Sequence, residues 1–226
     1  MIVGATGTGK TTVSRILGKA LTQCGADNLP HPQGWYKQVK IEMLNPKAVT
    51  KGELYGESNP YTNEWQEGIV SNLVKTAVEA AEGDDPVKST IKRWVNFDGP
   101  VDAMWIENMN TVLDDNKMLC LPNGERIKMP DICTMMFEVN DLVEASPATV
   151  SRCGMVYMEP VYLGWEPLVT TWGEEQEGAI SEKHLPFIVA TLKTALKYLL
   201  PRIRKHCKEM IPSQDCNLVQ SCLNLA

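Results

Sequence analysis

The sequence has no Cys-x-x-Cys pair, although it holds seven cysteines, at positions 24, 120, 133, 153, 207, 216 and 222. An odd number without a paired framework excludes a disulfide scaffold and predicts reduced thiols in a cytosolic protein. Histidine is scarce too. His31, His184 and His206 stand far apart in no ligand spacing, so no zinc site is indicated. No basic segment followed by an apolar core opens the chain, and no apolar run is long enough to cross a bilayer, so a soluble intracellular protein without a membrane partner is expected. Positive charge is in deficit: 22 Lys and Arg against 28 Asp and Glu give a net charge of −6. That balance argues against a nucleic-acid surface, which usually needs a basic face. What remains is 226 residues, 43% hydrophobic and 22% charged, enough for one α/β domain with or without a smaller satellite.

The informative stretch lies close to the start. Gly4-Ala5-Thr6-Gly7-Thr8-Gly9-Lys10-Thr11-Thr12 fits G-x-x-x-x-G-K-[ST], the phosphate-binding loop. Met1-Ile2-Val3 reads as the tail of a buried strand, and Val13, Ile16, Leu17, Ala20 and Leu21 recur at helical spacing, so the loop joins strand to helix. The first N–H groups of a helix have no partner within it, and the helix dipole adds positive potential there. Glycines let the backbone wrap phosphate oxygens, Lys10 would reach the β- and γ-phosphates, and the Thr11 hydroxyl would sit on Mg²⁺. A chance match in a glycine-containing turn is the plain alternative, and the strand and helix in the right places weigh against it. The chain is expected to bind a nucleoside triphosphate with Mg²⁺, or to descend from one that did.

Further along, residues 22–37 read as a polar loop, and Val39, Ile41 and Met43 alternate as a strand. Residues 50–67 are turn-rich and longer than a usual connection, which suggests an insertion. A helix resumes at Gly68, and Glu82 to Lys88 reads as a charged loop. Asn123-Gly124 between residues 118–121 and 126–129 predicts a hairpin with a type I′ turn. Cys133 to Val139 is another strand. Ser146 then caps a helix with Pro147 at its first position and Gly154 beyond its end, before a last strand at Met155 to Met158. Past Pro160 the strands stop. Leu163 to Trp172 and Pro186 to Leu200 read as helices, the second packing through Phe187, Val189, Leu192, Ala195, Leu196 and Leu199, with Pro201 ending or kinking it. Arg202, Arg204 and Lys205 are expected to face solvent. The organisation expected is a large α/β domain over 1–160, with inserts at about 50–67 and 118–129, and a partial helical domain over 161–226. Three residues before the loop make a short central strand, and the end stops inside an apolar helical pattern. A piece of a larger polypeptide is therefore expected.

Arg93-Trp94-Val95-Asn96-Phe97-Asp98 is an apolar strand ending in an acid, and such an acid beside a phosphate loop holds Mg²⁺ through water. Many strands end in Asp for no such reason; the phosphate loop upstream favours the functional reading. The next residue is Gly99, then Pro100, where hydrolysing relatives of this architecture carry a Glu that orients the attacking water. Glycine cannot take a proton, so binding without efficient hydrolysis is predicted. The alternative is a working ATPase with an unconventional base, Asp102 or Glu138. Asp102 also suits the positive end of a helix over 101–113, and Glu138, Asn140 and Asp141 suit an ordinary strand exit as well as a γ-phosphate sensor. Arg152 is either a solvated helix-end cation or a finger reaching a neighbour's γ-phosphate. A small-molecule kinase would need an arginine-bearing lid and an acceptor site, and the sequence offers neither.

Leu44-Asn45-Pro46-Lys47-Ala48, Glu53-Leu54-Tyr55-Gly56, Phe97 to Asp102, Trp105 to Lys117 and Ala145 to Met155 closely resemble the second AAA+ module of dynein heavy chains, across most of residues 1–173. The tail near Asn217-Leu218-Val219 resembles that module's small helical domain, cut short. The resemblance implies a P-loop AAA+ fold in a six-module ring of a microtubule minus-end-directed motor. It further implies an ATP-holding site made of Gly4, Ala5, Thr6, Gly7, Thr8, Gly9, Lys10, Thr11, Thr12 and Asp98, with Thr11 and Asp98 toward Mg²⁺. Arg152 matches the finger presented to the first module. Residues 50–67 and 118–129 match inserts that meet the linker. The implied partners are the adjacent AAA+ modules, the linker, intermediate and light chains, and microtubules through the full motor. The implied location is the cytoskeleton of the cytoplasm, in the axoneme of a cilium or flagellum.

Overall fold

The computed structural model describes residues 1–31, 34–83 and 91–225. In chain order its strands are β1 (Ile2–Val3), β2 (Pro30–His31), β3 (Gly34–Trp35), β4 (Val39–Leu44), β5 (Gly56–Ser58), β6 (Trp65–Glu67), β7 (Lys92–Asp98), β8 (Met118–Cys120), β9 (Arg126–Lys128), β10 (Cys133–Val139) and β11 (Val156–Tyr157). The chain divides into two compact units, Met1–Met158 and Glu159–Ala226.

The first unit is built on a five-stranded sheet in the order β11-β1-β10-β7-β4, every pairing parallel. Parallel strands covered on both faces read as near-continuous apolar runs, and Trp94, Val95, Phe97, Phe137 and Val139 are buried accordingly. The crossovers are helical: α1 (Lys10–Ala26) follows β1, and α3 (Ile69–Glu82) precedes β7. Phe97 and Phe137 are cross-strand partners, stacked at 5.1 Å between centroids, and Trp105 stacks on Phe97 at 5.6 Å. Phe97 therefore lies one residue before the end of β7 and Phe137 two before the end of β10, and their stacking fixes those ends together.

Four expectations need correction here. Residues 22–26 continue α1 instead of opening a loop, because Thr22 closes onto the Gly18 carbonyl at 2.8 Å and accepts the Val39 N–H at 3.0 Å. Pro32 of that stretch, and residues 84–88 of the charged loop, lie outside the described residues. The face of α1 that is buried carries Ser14 and Gly18, while Val13, Ile16 and Leu17 stay exposed. Residues 50–67 hold regular structure: α2 (Lys51–Tyr55), closed by a Thr50–Glu53 capping box, then the β5–β6 hairpin. Finally, the turn after β8 is not type I′. Gly124 alone has positive φ, at 86°, and its N–H donates to the Leu121 carbonyl at 3.0 Å. Pro122 holds the first central position at negative φ, which selects a type I turn followed by a left-handed glycine.

Helices over Ala103–Ile106 and Asn110–Leu113 with a 3₁₀ turn between them occupy the segment expected as one helix. The Pro147–Arg152 helix is capped by Ser146, with Cys153 at its C-cap and Gly154 beyond its end, as expected. Lys75 of α3 reaches Glu67 of β6 at 2.5 Å and Glu125 beside the β8–β9 turn at 2.8 Å, tying the two hairpins to one helix.

The second unit is helical, with segments Pro160–Leu163, Glu166–Glu175, Leu185–His206 and Asp215–Leu223 around Val169, Leu196, Leu200, Val219 and Leu223. Pro201 does not end its helix, which runs on to His206. Packing of Leu200 offsets the hydrogen bond that proline removes. Phe187 and Leu199 are exposed, so the buried stripe is turned from the one expected. Arg202, Arg204 and Lys205 are exposed as expected, and Arg204 pairs at the surface with Glu209 and Asp215, both at 2.8 Å.

Tyr55 is fully buried and donates its hydroxyl to the Trp105 carbonyl at 2.6 Å. Tyr55→Phe leaves that buried carbonyl short of a donor and should cost about 1–3 kcal/mol. Urea unfolding of the chain, with unchanged m-value, checks it.

Candidate functional site

The site is assembled at the carboxyl ends of β1, β10 and β7. Register sets Val3 opposite Val139 and Glu138 opposite Asp98, so the loop after β1 leaves the sheet beside two acidic strand ends. The Gly4 N–H donates to the Val139 carbonyl at 3.1 Å, as the chain's last sheet contact before the loop. Ala5 accepts from the Thr8 hydroxyl at 2.8 Å, which closes the loop on itself and buries Thr8. Thr6 and Gly7 are exposed at its crest. Gly7 and Gly9 take left-handed φ values of 85° and 83°, the conformation that turns successive N–H groups inward and that side-chain-bearing residues resist.

Among the described residues, the N–H groups of Gly7, Gly9, Lys10, Thr11 and Thr12 donate to no backbone carbonyl, and the first loop-to-helix bond is Val13 to Gly9 at 2.9 Å. These donors sit at the positive end of the seventeen-residue helix α1. Lys10 folds its ammonium onto the loop carbonyls of Gly4 at 2.5 Å and Ala5 at 3.0 Å. That arrangement of unspent N–H groups and one ammonium fits the charge and hydrogen-bonding needs of a polyphosphate.

Asp98 ends β7 exposed, with no hydrogen bond or ion pair among the described residues. Thr11 donates its hydroxyl to Glu138 Oε2 at 2.5 Å, so the oxygen keeps its lone pairs for a cation. Beside Asp98, a Cβ on Gly99 would lie 2.9 Å from Asn45 Oδ1 and 3.1 Å from Pro46 Cδ. Asn45 is itself held in place, accepting the Lys47 N–H at 2.9 Å. The position following the acid is therefore walled by the Asn45-Pro46 turn.

The two alternative bases are both engaged. Asp102 caps the Ala103–Ile106 helix through the Met104 N–H at 2.8 Å and pairs with the Lys47 ammonium. Lys47, followed by the capping bond, holds its carboxyl below the usual aspartate range. Glu138 is 1% exposed and accepts from Thr11, from Ser14 at 2.8 Å and from Asn96 at 2.6 Å. Arg152, at the end of its helix, pairs with Asp114 and donates to the Ala148 carbonyl at 2.7 Å. Sequence reasoning overlooked Ser14 and Asn96. Their signal was a polar residue inside an otherwise buried strand, Val95-Asn96-Phe97, and a serine on the helix face that packs inward.

The AAA domain family, dynein-related subfamily, matches residues 1–153. Among proteins, the chain is 45% identical over 229 residues to dynein axonemal heavy chain 1 of Homo sapiens, covering 100% of this chain and 5% of that protein. It is 46% identical over 222 residues to dynein axonemal heavy chain 6 of Homo sapiens, covering 97% of this chain and 5% of that one. Dynein axonemal heavy chain 2 of Homo sapiens is 43% identical over 225 residues. The chain thus spans about one-twentieth of the length of the relatives it matches.

The depressed Asp102 carboxyl carries a pH signature. A group whose folded pKa is lowered stabilises the fold above its unfolded value, 3.8, and loses that contribution as pH falls through the folded value. Asp102→Asn keeps a capping side chain and removes the charge. The stability gap between the parent and Asp102→Asn should be constant above about pH 5 and close as pH drops below the unfolded value. Chemical denaturation across pH 2–7 checks it, and a gap that persists at the acid end contradicts the assignment.

Proposed function

The chain belongs to the dynein-related subfamily of AAA domains, and from that premise we propose that it is an ATP-holding module of a dynein heavy chain, one that binds nucleotide without efficient hydrolysis. Residues 4–12 and Asp98 would hold ATP, with Thr11 and Asp98 toward Mg²⁺. The cation would supply charge neutralisation between the phosphates. The observation that carries the reading is the pairing of an intact phosphate loop with Gly99, whose Cβ position is closed by Asn45 and Pro46.

The chain's own residues support binding and engage both alternative bases. Lys10 has only weakly competing carbonyl partners to give up. Water next to Asp98 would find glycine where a proton acceptor is needed. Asp102 is committed to Lys47 and a helix cap, and Glu138 to three donors. Those commitments favour this reading over an ATPase that uses either acid.

In the same reading the module lends structure to a ring of AAA+ modules in an axonemal, microtubule-directed motor. The names of the relatives support that setting. The paired hairpins on Lys75 would present one surface to the linker. Arg152 would act outside its own site, as a finger for the neighbouring module, exchanging Asp114 for the neighbour's γ-phosphate.

The test is nucleotide binding to the full heavy chain. Lys10→Ala should abolish ATP retention at this module and remove its ligand-dependent rise in melting temperature. Arg152→Ala should keep that retention while slowing hydrolysis at the adjacent module by on the order of a thousandfold. Unchanged retention in Lys10→Ala would sink the binding assignment. Unchanged neighbouring hydrolysis in Arg152→Ala would remove the finger.

A further inference from the structure

Glu138 is a buried carboxylate with no ion pair among the described residues, and all its partners are neutral donors. Thr11 Oγ1 donates to Oε2 at 2.5 Å, while Ser14 Oγ and Asn96 Nδ2 donate to Oε1 at 2.8 and 2.6 Å. Two of these donors ride on α1 and the third on β7, so one carboxylate on β10 joins the helix after the phosphate loop to two strands of the sheet. Burying an acid among neutral groups is costly, and the cost is met only when every donor is in place. Among the described residues Asn96 has no second option, since its Oδ1 has no hydrogen-bond partner there and its amide donates to the carboxylate.

We infer that Glu138 is the positioning residue for Mg²⁺ at this site, acting through the Thr11 hydroxyl and not as a ligand or a base. The inference rests on the nucleotide-holding reading above. A hydroxyl owns one proton and two lone pairs. With its proton committed to Oε2, Thr11 cannot rotate, and its lone pairs are directed away from the carboxylate, ready for a cation. A carboxylate behind a ligating group also raises the basicity of the ligand atom, as carboxylates do behind metal-bound imidazoles. Ser14 and Asn96 occupy Oε1 and keep the carboxylate from swinging out to take the cation itself. Asp98, in register with Glu138 on the next strand, is exposed, and its side chain has no partner among the described residues. The two acids divide the work: Glu138 orients the ligand, and Asp98 remains available toward the cation's water.

The experiment measures ATP affinity at this module in the full polypeptide, with Mg²⁺ and with the cation removed by EDTA. The Lys10→Ala protein serves as the blank that isolates this site. In the parent, Mg²⁺ strengthens binding. In Glu138→Gln that strengthening should shrink by on the order of tenfold, while affinity in EDTA stays within about twofold. Asn96→Ala, which loosens the carboxylate from the β7 side, should move the Mg²⁺ dependence the same way by a smaller factor, and it carries the test if Glu138→Gln does not fold. Equal losses with and without Mg²⁺ would mean a purely structural contact and overturn the inference, as would an unaltered Mg²⁺ dependence. A parent signal no different from the Lys10→Ala blank would instead remove the nucleotide site, and this inference with it.

Discussion

A buried negative charge must be hydrogen-bonded wherever it lies, and in this molecule that requirement falls on Glu138. Meeting it draws Thr11 and Ser14 of α1 and Asn96 of β7 to one point. The helix that follows the phosphate loop is thereby locked to the sheet at its first turn, and the loop between Gly4 and Lys10 has both ends fixed. The face of α1 that packs inward is polar and small for this reason, Ser14 and Gly18, while Val13, Ile16 and Leu17 stay outside. A purely apolar contact there would hold the helix but could not orient a hydroxyl.

Around that point the fold supplies rigidity at successive distances. Phe97, Phe137 and Trp105 form a stack one residue behind Asp98 and Glu138, and the Tyr55 hydroxyl ties α2 to the Trp105 backbone. Changes in α2 are therefore connected to the strand ends through that hydrogen bond. Lys75 extends the connection by joining the β5–β6 hairpin to the turn of the β8–β9 hairpin. These ion pairs are half exposed and contribute only about 0.2–1 kcal/mol each, so they set geometry more than stability. A side chain at position 99 would also have to be accommodated, because its Cβ would press on Asn45 Oδ1 at 2.9 Å and Pro46 Cδ at 3.1 Å.

Much of this was legible in the residues before any coordinates. The phosphate loop, the parallel strands and the acid at the end of β7 are local patterns, with glycines, apolar runs and caps at fixed offsets, and they fold where the spacing places them. The resemblance to a dynein AAA+ module, carried by long strings such as Trp105 to Lys117, agrees with the family match over residues 1–153. Less legible were features decided by distant contacts. Residues 22–26 stay helical because Thr22 reaches Val39, and α2 was hidden in a turn-rich segment whose capping box, Thr50 and Glu53, was its one strong local signal. The type I turn at Pro122 depends on proline overruling the Asn-Gly preference. The role of Glu138 required knowing that three elements meet, since at the end of an apolar strand a glutamate reads equally well as an ordinary exit.

As proposed above, this module holds ATP and does not turn it over. The most direct test is the identity of the nucleotide retained by the module within its ring, followed in a single-turnover assay with the Lys10→Ala protein as blank. Retained ATP that outlasts many motor cycles is the expected outcome. Prompt conversion to ADP at this site would contradict it and would mean that some residue other than Gly99 supplies the base.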